Sequence, residues 1–306
     1  MRHVFILNPA AGKHQPALAL IPAIEAACKE AGAAYEILTT AAPGDGTRLA
    51  AEAVERAGEE GARLYACGGD GTLLEVLAAI TPGSDTQLAH VPCGSGNDFV
   101  RMLGGSQRFL DLPAMVAAPA VPMDGIRYEE EGKAPRYAIN VAATGMDAAV
   151  AWNMVKFKGW PLVSGSMAYN LALVKVFFGK LGCGLQVTMD TPEGPVEIKG
   201  RYLFALGANG QYYGGGYHAA PESKPDDGLL DFVMVDKISR LGILKLLPRY
   251  KGGTHLGDPA IHTWRGTGFT VHSDSPIPVT LDGECFLARD FTARLMPGAY
   301  RFVMPD

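Results

Sequence analysis

Residues 1 to about 122 alternate short apolar runs with segments of helical periodicity, and this alternation strongly constrains the fold. In chain order the segments are His3–Leu7, Ala17–Glu30, Ala34–Thr39, Gly46–Ala57, Ala62–Cys67, Thr72–Ile80 and Gln87–Val91. Strand–helix–strand connections build parallel sheets, which are buried on both faces and bind ligands where the strands end and the helices begin. We therefore predict a Rossmann-like α/β domain with a ligand site at those strand ends.

The pattern changes after Pro119–Pro122, where β-type segments separated by Gly, Pro and Asp turns take over. These segments are Arg136–Ala142, Leu185–Thr188, Tyr202–Ala208, Leu229–Val235, Gly268–His272 and Ile277–Leu281. Helical patterns interrupt them at Ala149–Leu181 and Ser239–Tyr250. Short strands spaced by turns predict a β-sandwich. We therefore predict an α/β domain over 1–122 and a β-sandwich domain over 123–306, with Tyr300–Met304 as a candidate strand returning to the first domain.

Charge and cysteine usage exclude several classes of protein. The 306 residues carry a net charge of -5, which argues against nucleic acid as a partner because phosphate backbones select basic surfaces. The five cysteines form no C-x-x-C pair, and the seven histidines form no H-E-x-x-H or Cys/His cluster, so a zinc site is not indicated. No window reaches the ~18 apolar residues that a spanning helix needs. We expect a cytoplasmic protein with reduced thiols that meets membranes only at the surface.

The strongest local motif is Gly68-Gly-Asp-Gly-Thr72, between an apolar strand and a helical run. Glycines let the backbone approach phosphate oxygens, and a helix N-terminus presents free N–H groups and partial positive charge. The carboxylate of Asp70 would repel phosphates unless a divalent cation or a hydroxyl proton lies between them, so Asp70 indicates Mg²⁺ binding or proton transfer. The alternative is that Asp70 only caps the helix.

Two further loops follow apolar strands. Asn8-Pro-Ala-Ala-Gly12-Lys13 has small residues and a lysine suited to nucleotide phosphates, although it lacks the Walker A spacing. Pro92-Cys-Gly-Ser-Gly-Asn-Asp-Phe99 supplies two glycines and a hydroxyl. Since consecutive strand ends of a parallel sheet lie together, we expect the three loops to converge on one site.

Two acidic turns mark the second half. In 221–231, acids surround Gly228, and oxygen ligands on such a bent loop can hold Mg²⁺, although Asp-Asp-Gly is also an ordinary turn. Leu281-Asp-Gly-Glu284 follows a β-type run, and phosphoryl transfer to an alcohol needs a carboxylate to accept or orient the hydroxyl proton. The alternative for this second turn is a plain Asp-Gly hairpin.

The segment between Asp147 and Asp190 contains no acid, four lysines and several aromatic residues. Apolar faces with interleaved cations suit an interface with anionic lipid. A buried helical insertion whose lysines extend to solvent would have the same composition. The sequence leaves both interpretations open.

Taken together, Asn8-Pro-Ala-Ala-Gly12, Gly68-Gly-Asp-Gly-Thr72, Gly94-Ser-Gly-Asn-Asp98 and Leu281-Asp-Gly-Glu284 resemble the motifs of the diacylglycerol kinase catalytic family, to which sphingosine kinases are related. The resemblance covers almost the whole chain. The Gly-Gly-Asp-Gly motif alone is shared with NAD kinases and phosphofructokinases, whereas its combination with the Asn-Pro loop and the Gly-x-Gly-Asn-Asp-Phe loop is more particular to lipid kinases. The fold implied is an NAD kinase-like or phosphofructokinase-like α/β domain followed by a β-sandwich.

By this resemblance, site residues can be assigned one by one. ATP would be contacted by Asn8, Pro9, Ala10, Ala11, Gly12, Thr40, Gly68, Gly69, Asp70, Gly71, Thr72 and Ser95. Mg²⁺ would be held by Lys224, Asp227 and Leu229, with main-chain carbonyls among the ligands. Glu284, assisted by Asp282, would accept the proton of the lipid hydroxyl, although the related sphingosine kinases favour the aspartate of the glycine loop, here Asp70. Cys93 and Ser95 replace the more usual Leu and Thr of their loop.

The resemblance implies an ATP- and Mg²⁺-dependent lipid kinase, with diacylglycerol as the default substrate and phosphatidic acid as the product. The alternatives are an NAD kinase-like or other small-molecule kinase and a catalytically silent lipid-binding regulator. A cytoplasmic protein peripherally associated with the membrane is expected. The sequence leaves the lipid and a homodimeric state open.

Overall fold

A computed structural model describes residues 1–12, 14, 16–158, 160 and 165–306 of the chain. These residues form two compact units. The first comprises Met1–Gly125, Pro225–Asp227 and Met296–Asp306, and the second comprises Ile126–Lys224 and Gly228–Leu295. The domain boundaries predicted from the sequence, 1–122 and 123–306, remain predictions.

The first unit is a parallel sheet with helices in its connections. Its strands are β1 (Arg2–Leu7), β2 (Tyr35–Thr39), β3 (Ala62–Gly68), β4 (Gln87–Pro92), the start of β5 (Ala120–Glu129) and the end of β15 (Glu284–Val303). Its helices are α1 (Pro16–Ala19), α2 (Ile21–Glu30), α3 (Asp45–Ala57), α4 (Asp70–Leu77), α5 (Asp98–Arg101) and α6 (Leu112–Ala117), with 3-10 turns at Gly58–Glu60 and Ser106–Leu110.

The order of parallel strands in this unit is β2-β1-β3-β4, followed by the end of β15, in which Arg301 and Phe302 pair with Gln87 and Leu88. Strand β3 is buried along its whole length, as expected for a central strand covered on both faces. The carboxyl ends of the four strands therefore lie along one edge, where the loops to the helices begin.

One predicted helix of this unit is wrong in detail. The segment Ala17–Glu30 is not continuous, because α1 ends at Ala19 and α2 starts at Ile21. Pro22 is the cause: inside one long helix its ring would clash with the carbonyl of Leu18, whereas near the start of a new helix its missing N–H has no cost.

The second unit is mainly antiparallel. Its strands are the end of β5, β6 (Arg136–Ala138), β7 (Val141–Gly145), β8 (Cys183–Thr191), β9 (Gly194–Ala208), β10 (Tyr212–Tyr213), β11 (Tyr217–His218), β12 (Leu230–Asp236), β13 (Ile261–Gly266), β14 (Gly268–Leu281) and most of β15. Its helices are α7 (Met146–Lys158), α8 (Gly165–Phe178) and α9 (Arg240–Gly252).

Strands β7, β9 and β12 bury both faces, one in a core with Phe269 and Phe291 and the other in a core with Ile243 and Tyr250 of α9. This sheet-rich unit and the α/β unit confirm the predicted fold class. Two strand predictions need correction. The segment Arg136–Ala142 is split between β6 and β7, and the segments at 268–272 and 277–281 are parts of β14, whose register shifts after His272. Pro276 lies in that shift and has no N–H for the ladder.

One half-buried acid of this unit, Asp147, lies in the first turn of α7. Oδ2 of Asp147 accepts a hydrogen bond of 2.7 Å from the Tyr213 hydroxyl, which lies 3.1 Å from the Tyr250 hydroxyl. Oδ1 is buried with no hydrogen-bond partner among the described residues. Burial raises the pKa of Asp147 to about 6, so the folded state holds this proton more tightly than the unfolded chain does.

We expect Asp147→Asn to stabilise the protein at pH 7.5 but not at pH 4.5. The folded pKa of Asp147 lies above the unfolded one. Ionisation of Asp147 therefore lowers the free energy of unfolding as the pH rises from the ordinary pKa of an aspartate towards about 6. The full cost is about 1–3 kcal/mol. Urea denaturation at the two pH values measures this difference in the free energy of unfolding. Tyr213→Phe, which removes the hydroxyl that donates to Asp147, is the control for the opposite effect. A pH-independent difference between Asp147→Asn and the wild type would contradict this account.

Candidate active site

The first loop is tied to the glycine loop by Asn8. This residue follows β1, and its amide N–H continues the β3 ladder with a 3.0 Å bond to the Cys67 carbonyl. Its side-chain Nδ2 donates to the Thr72 hydroxyl at 2.9 Å, and its Oδ1 accepts from the Ala10 N–H at 2.9 Å. One asparagine thus fixes both the turn of its own loop and the start of α4.

The glycine loop requires glycine for close packing. A Cβ at Gly68 would overlap the Thr72 side chain, and a Cβ at Gly94 would overlap the Gly69 Cα. The Gly68 carbonyl accepts from the backbone N–H of Cys93 at 2.7 Å and of Gly94 at 3.2 Å. The loops after β3 and β4 are therefore in backbone contact, at a distance that side chains would prevent.

Asp70 points its carboxylate at the third loop rather than at its own helix end. Gly69 is the N-cap of α4 and makes no side-chain capping bond, so the alternative of Asp70 as N-cap is wrong. Its Oδ1 accepts from the Asp98 N–H at 2.7 Å, and a Cβ at Gly96 would lie 2.5 Å from its Oδ2. Burial raises the pKa of Asp70, whereas backbone N–H groups, first that of Asp98, lower it.

The loop of 94–98 is closed by its own polar groups. Asn97 has a φ of 53°, a conformation that asparagine tolerates well, and its Nδ2 donates to the Gly94 carbonyl at 2.9 Å. Arg101 donates to the Gly96 carbonyl at 2.9 Å and pairs with the Asp98 carboxylate at 3.3 Å. Ser95 is exposed at the tip of this loop. The preformed loop leaves the Ser95 hydroxyl accessible to a ligand.

The first loop also packs against the third. Gly12 has a φ of 69°, and a Cβ there would overlap the Cys93 carbonyl oxygen. The predicted convergence of the loops after β1, β3 and β4 is thus seen in the contacts of Asn8, Gly12 and Asp70. Lys13, which the sequence indicates for nucleotide phosphates, lies outside the described residues.

The loop that carries Thr40 is held by a residue that the sequence analysis missed. Glu75, on α4, accepts from the backbone N–H groups of Gly44 and Gly46, each at 2.9 Å. Thr40 continues the ladder through its N–H to the Leu7 carbonyl at 2.9 Å. The position of Glu75 on α4 is typical of an ordinary solvated acid. Its contact with the Thr40 loop could therefore not be recognised from the sequence.

His90 is a second residue that the sequence analysis missed. It lies fully buried on β4, and its Nε2 donates to the Gly68 carbonyl at 3.2 Å. Burial lowers the pKa of His90 to about 4, so the imidazole is neutral at physiological pH. His90 therefore stabilises the glycine loop from the neighbouring strand β4 and adds no charge to it.

In the second unit, the Asp282-Gly283 turn has φ values of 47° and 94°, as in a two-residue hairpin with Asp-Gly at its centre. The Asp282 carboxylate accepts from the backbone N–H groups of Ile139 at 2.7 Å, Asn140 at 3.1 Å and Val141 at 2.6 Å. These bonds explain why the chain breaks between β6 and β7. Asp282 is thus a clamp that sets the position of the turn.

Glu284 is the accessible carboxylate of this turn. Its side chain is 55% exposed and pairs with the Arg136 guanidinium at 3.4 Å. That guanidinium in turn stacks over the Phe286 ring, 3.9 Å from the ring centre. An arginine held on an aromatic ring orients the Glu284 carboxylate while leaving it open to a ligand.

The predicted metal ligands Lys224, Asp227 and Leu229 lie in the loop that leads to β12. Among the residues that the structure describes, no group of three or more His, Cys, Asp or Glu side chains is arranged to hold a metal ion. The predicted set relies on one carboxylate and on main-chain carbonyls, which are oxygen ligands of the kind Mg²⁺ takes. Gly228, with a φ of 76°, bends this loop sharply. The donor chemistry fits Mg²⁺, and the site stays a prediction.

Over the described part of the chain, no helix combines the length and apolar character that crossing a bilayer requires.

Comparison with known proteins gives two matches to family models. Residues 2–127 match the diacylglycerol kinase catalytic domain, and residues 140–304 match the YegS C-terminal NAD kinase beta sandwich-like domain. Together the two matches cover most of the chain.

Relatives of known name are similar along most of their length. A probable lipid kinase YegS-like protein of Chromohalobacter salexigens is 31% identical over 291 residues, which is 91% of this chain and 86% of that protein. A diacylglycerol kinase of Mycobacterium tuberculosis is 30% identical over 248 residues, 78% of this chain and 75% of that protein. A crystal structure of a putative diacylglycerol kinase from Bacillus anthracis has a TM-score of 0.71 at 22% identity, covering 99% of this chain and 97% of that one.

Proposed function

Since this chain belongs to the diacylglycerol kinase-like family of lipid kinases, we propose that it transfers the γ-phosphoryl group of ATP to the hydroxyl group of a lipid in a Mg²⁺-dependent reaction. The observation that carries the proposal is the contact of three strand-end loops around Asp70. Backbone N–H groups at a helix start favour phosphates, and the half-buried carboxylate of Asp70 beside them suits a site that also handles a cation or a proton.

The ATP phosphates are assigned to the first unit. The residues proposed to contact ATP are Asn8, Pro9, Ala10, Ala11, Gly12, Thr40, Gly68 to Thr72 and Ser95. The bonds of Asn8 to Thr72 and of Glu75 to the Thr40 loop support this assignment, because they hold the loops in place before a ligand arrives. Donors that are already ordered lose little conformational entropy when a ligand binds. Phosphoryl transfer itself depends mainly on positioning and charge.

Mg²⁺ is assigned to Asp227 with carbonyl groups of Lys224 and Leu229. When bound, it would neutralise phosphate charge during transfer. Asp70 is assigned to attract that cation to the phosphates, since its carboxylate is held in place by the Asp98 N–H.

Glu284 is assigned as the acceptor of the proton of the lipid hydroxyl. As the attacking oxygen forms its bond to phosphorus and the bond to ADP breaks, the hydroxyl proton passes to the Glu284 carboxylate. Its exposure supports this role, because the hydroxyl of a lipid can reach it. Asp282 is assigned to positioning, because the bonds that it accepts from the backbone N–H groups of Ile139, Asn140 and Val141 hold the turn.

Diacylglycerol is the proposed default acceptor, with phosphatidic acid as product. The Mycobacterium tuberculosis relative, named a diacylglycerol kinase, supports this choice, whereas the YegS-like relatives are named only as probable lipid kinases. The acceptor must therefore be found by experiment.

The proposed function is tested by incubating the purified chain with γ-labelled ATP, Mg²⁺ and mixed micelles of diacylglycerol, phosphatidylglycerol, ceramide or a sphingoid base. NAD and sugars are offered in parallel. We expect label in one lipid class and none after EDTA treatment. Label in NAD or a sugar instead would replace the proposal with a small-molecule kinase, and ATP binding without transfer would indicate a silent regulator.

A further inference from the structure

Helix α8 carries apolar side chains on its solvent face. Leu171, Val174 and Phe178 recur at the i, i+3, i+7 spacing of one helix face, and Phe178 is 71% exposed. A helix that only inserted into the core would bury such residues. Instead, Ala168 and Ala172 on its other side pack with Val150 and Phe157 of α7.

Helix α9 extends this apolar face. Its first residue, Arg240, donates to the carbonyls of Phe177 at 2.9 Å, Phe178 at 3.2 Å and Gly179 at 2.8 Å, so the end of α8 and the start of α9 are bonded together. Leu241 and Leu244 follow on α9 and are 62% and 55% exposed. We call Leu171, Val174, Phe178, Leu241 and Leu244 the α8–α9 surface.

The two segments that carry this surface contain charges of one sign only. The segments 148–189 and 237–257 contain no Asp or Glu, although the whole chain has a net charge of -5. They contain nine cations, Lys156, Lys158, Lys175, Lys180, Lys237, Arg240, Lys245, Arg249 and Lys251. Arg249 is paired with Asp258 at 2.6 Å. An acid-free, cation-rich setting around exposed apolar side chains is electrostatically complementary to an anionic surface.

We propose that the α8–α9 surface docks the protein on an anionic bilayer, with its apolar side chains in the headgroup region and its lysines on the lipid phosphates. Interfacial binding of this kind combines apolar burial with attraction to anionic lipid. A second copy of the chain is the weaker candidate, because a two-fold contact through this surface would bring two sets of cations together. The inference extends the proposed function, since a lipid kinase must reach its substrate, but vesicle binding can be measured without any turnover.

The test is co-sedimentation of the full chain, without ATP, with vesicles of phosphatidylcholine alone or mixed with phosphatidylglycerol. We expect binding to the mixed vesicles that weakens at high salt. Phe178→Ser with Leu241→Ser should lower the partition coefficient at least about ten-fold. Lys180→Gln with Lys245→Gln should lower it about five-fold per cation. Leu287→Ser, at an exposed leucine of β15 in the same unit, is the matched control and should bind as the wild type does.

Three outcomes overturn the inference: a wild type that ignores anionic vesicles, α8–α9 variants that bind as well as the wild type, or variants that change only self-association in light scattering. A kinase assay separates this inference from the proposed function. Vesicle binding with no transfer to any lipid would leave docking intact and reject the kinase proposal. Transfer to a lipid dispersed in detergent micelles should be equal in the variants and the wild type, whereas transfer to the same lipid in vesicles should fall.

Discussion

Asp70→Asn is expected to lower the kcat of phosphoryl transfer by about 10²- to 10³-fold while leaving the protein folded. The asparagine Oδ1 can still accept the Asp98 N–H, now 2.7 Å from Asp70, so the contact between the loops survives. What is lost is the negative charge that we assign to attracting the cation that neutralises the phosphates. Because burial already raises the pKa of Asp70, removing its charge should not lower the free energy of unfolding.

The experiment compares initial transfer rates and urea denaturation for the wild type, Asp70→Asn and Asp85→Asn. Asp85 is an exposed acid of the same unit that lies outside the three loops, and its variant should match the wild type. If Asp70→Asn keeps a rate within about three-fold of the wild type, Asp70 is a structural link between loops and carries no chemistry.

Glu284→Gln is expected to lower kcat by about 10²- to 10⁴-fold, the usual contribution of a positioned general base. The glutamine has the same shape but cannot take the hydroxyl proton. Stability should change little, since the lost ion pair with Arg136 is at the surface and such pairs contribute only about 0–1 kcal/mol.

The measurements are steady-state kinetics on the lipid found in the transfer assay, together with thermal unfolding. Glu193→Gln is the matched control, an exposed glutamate in the β8–β9 turn of the same unit. An unchanged kcat in Glu284→Gln, alongside a strongly reduced one in Asp70→Asn, would reassign the proton to Asp70.

Much of the fold could be predicted because its signals are local. Strand–helix alternation indicates a parallel sheet, and glycine loops between strands and helices indicate where ligands bind. The break before Pro22 and the register shift near Pro276 were missed, because in both places a proline changes backbone bonding without ending the apolar pattern.

The candidate site could be predicted only in part, because the partners of its polar groups are distant in sequence. Asp282 reaches Ile139, 143 residues away, and Glu75 reaches Gly44, 31 residues away. The sequence Asp282-Gly283 is equally typical of an ordinary hairpin and of a catalytic turn, and the structure shows that it forms a hairpin. His90 looks like any polar residue at the end of a buried strand until its bond to Gly68 is seen.

The central claim is that this chain phosphorylates a lipid. The most direct measurement is mass spectrometry of the lipid fraction after a total bacterial lipid extract has been incubated with the purified wild type, ATP and Mg²⁺. The account predicts one lipid class that gains a single phosphoryl group, with an equal amount of ADP formed and at least about 100-fold less product from Asp70→Asn or Glu284→Gln in the same time. ADP formation with an unchanged lipid fraction, or as much product from both variants as from the wild type, would contradict it.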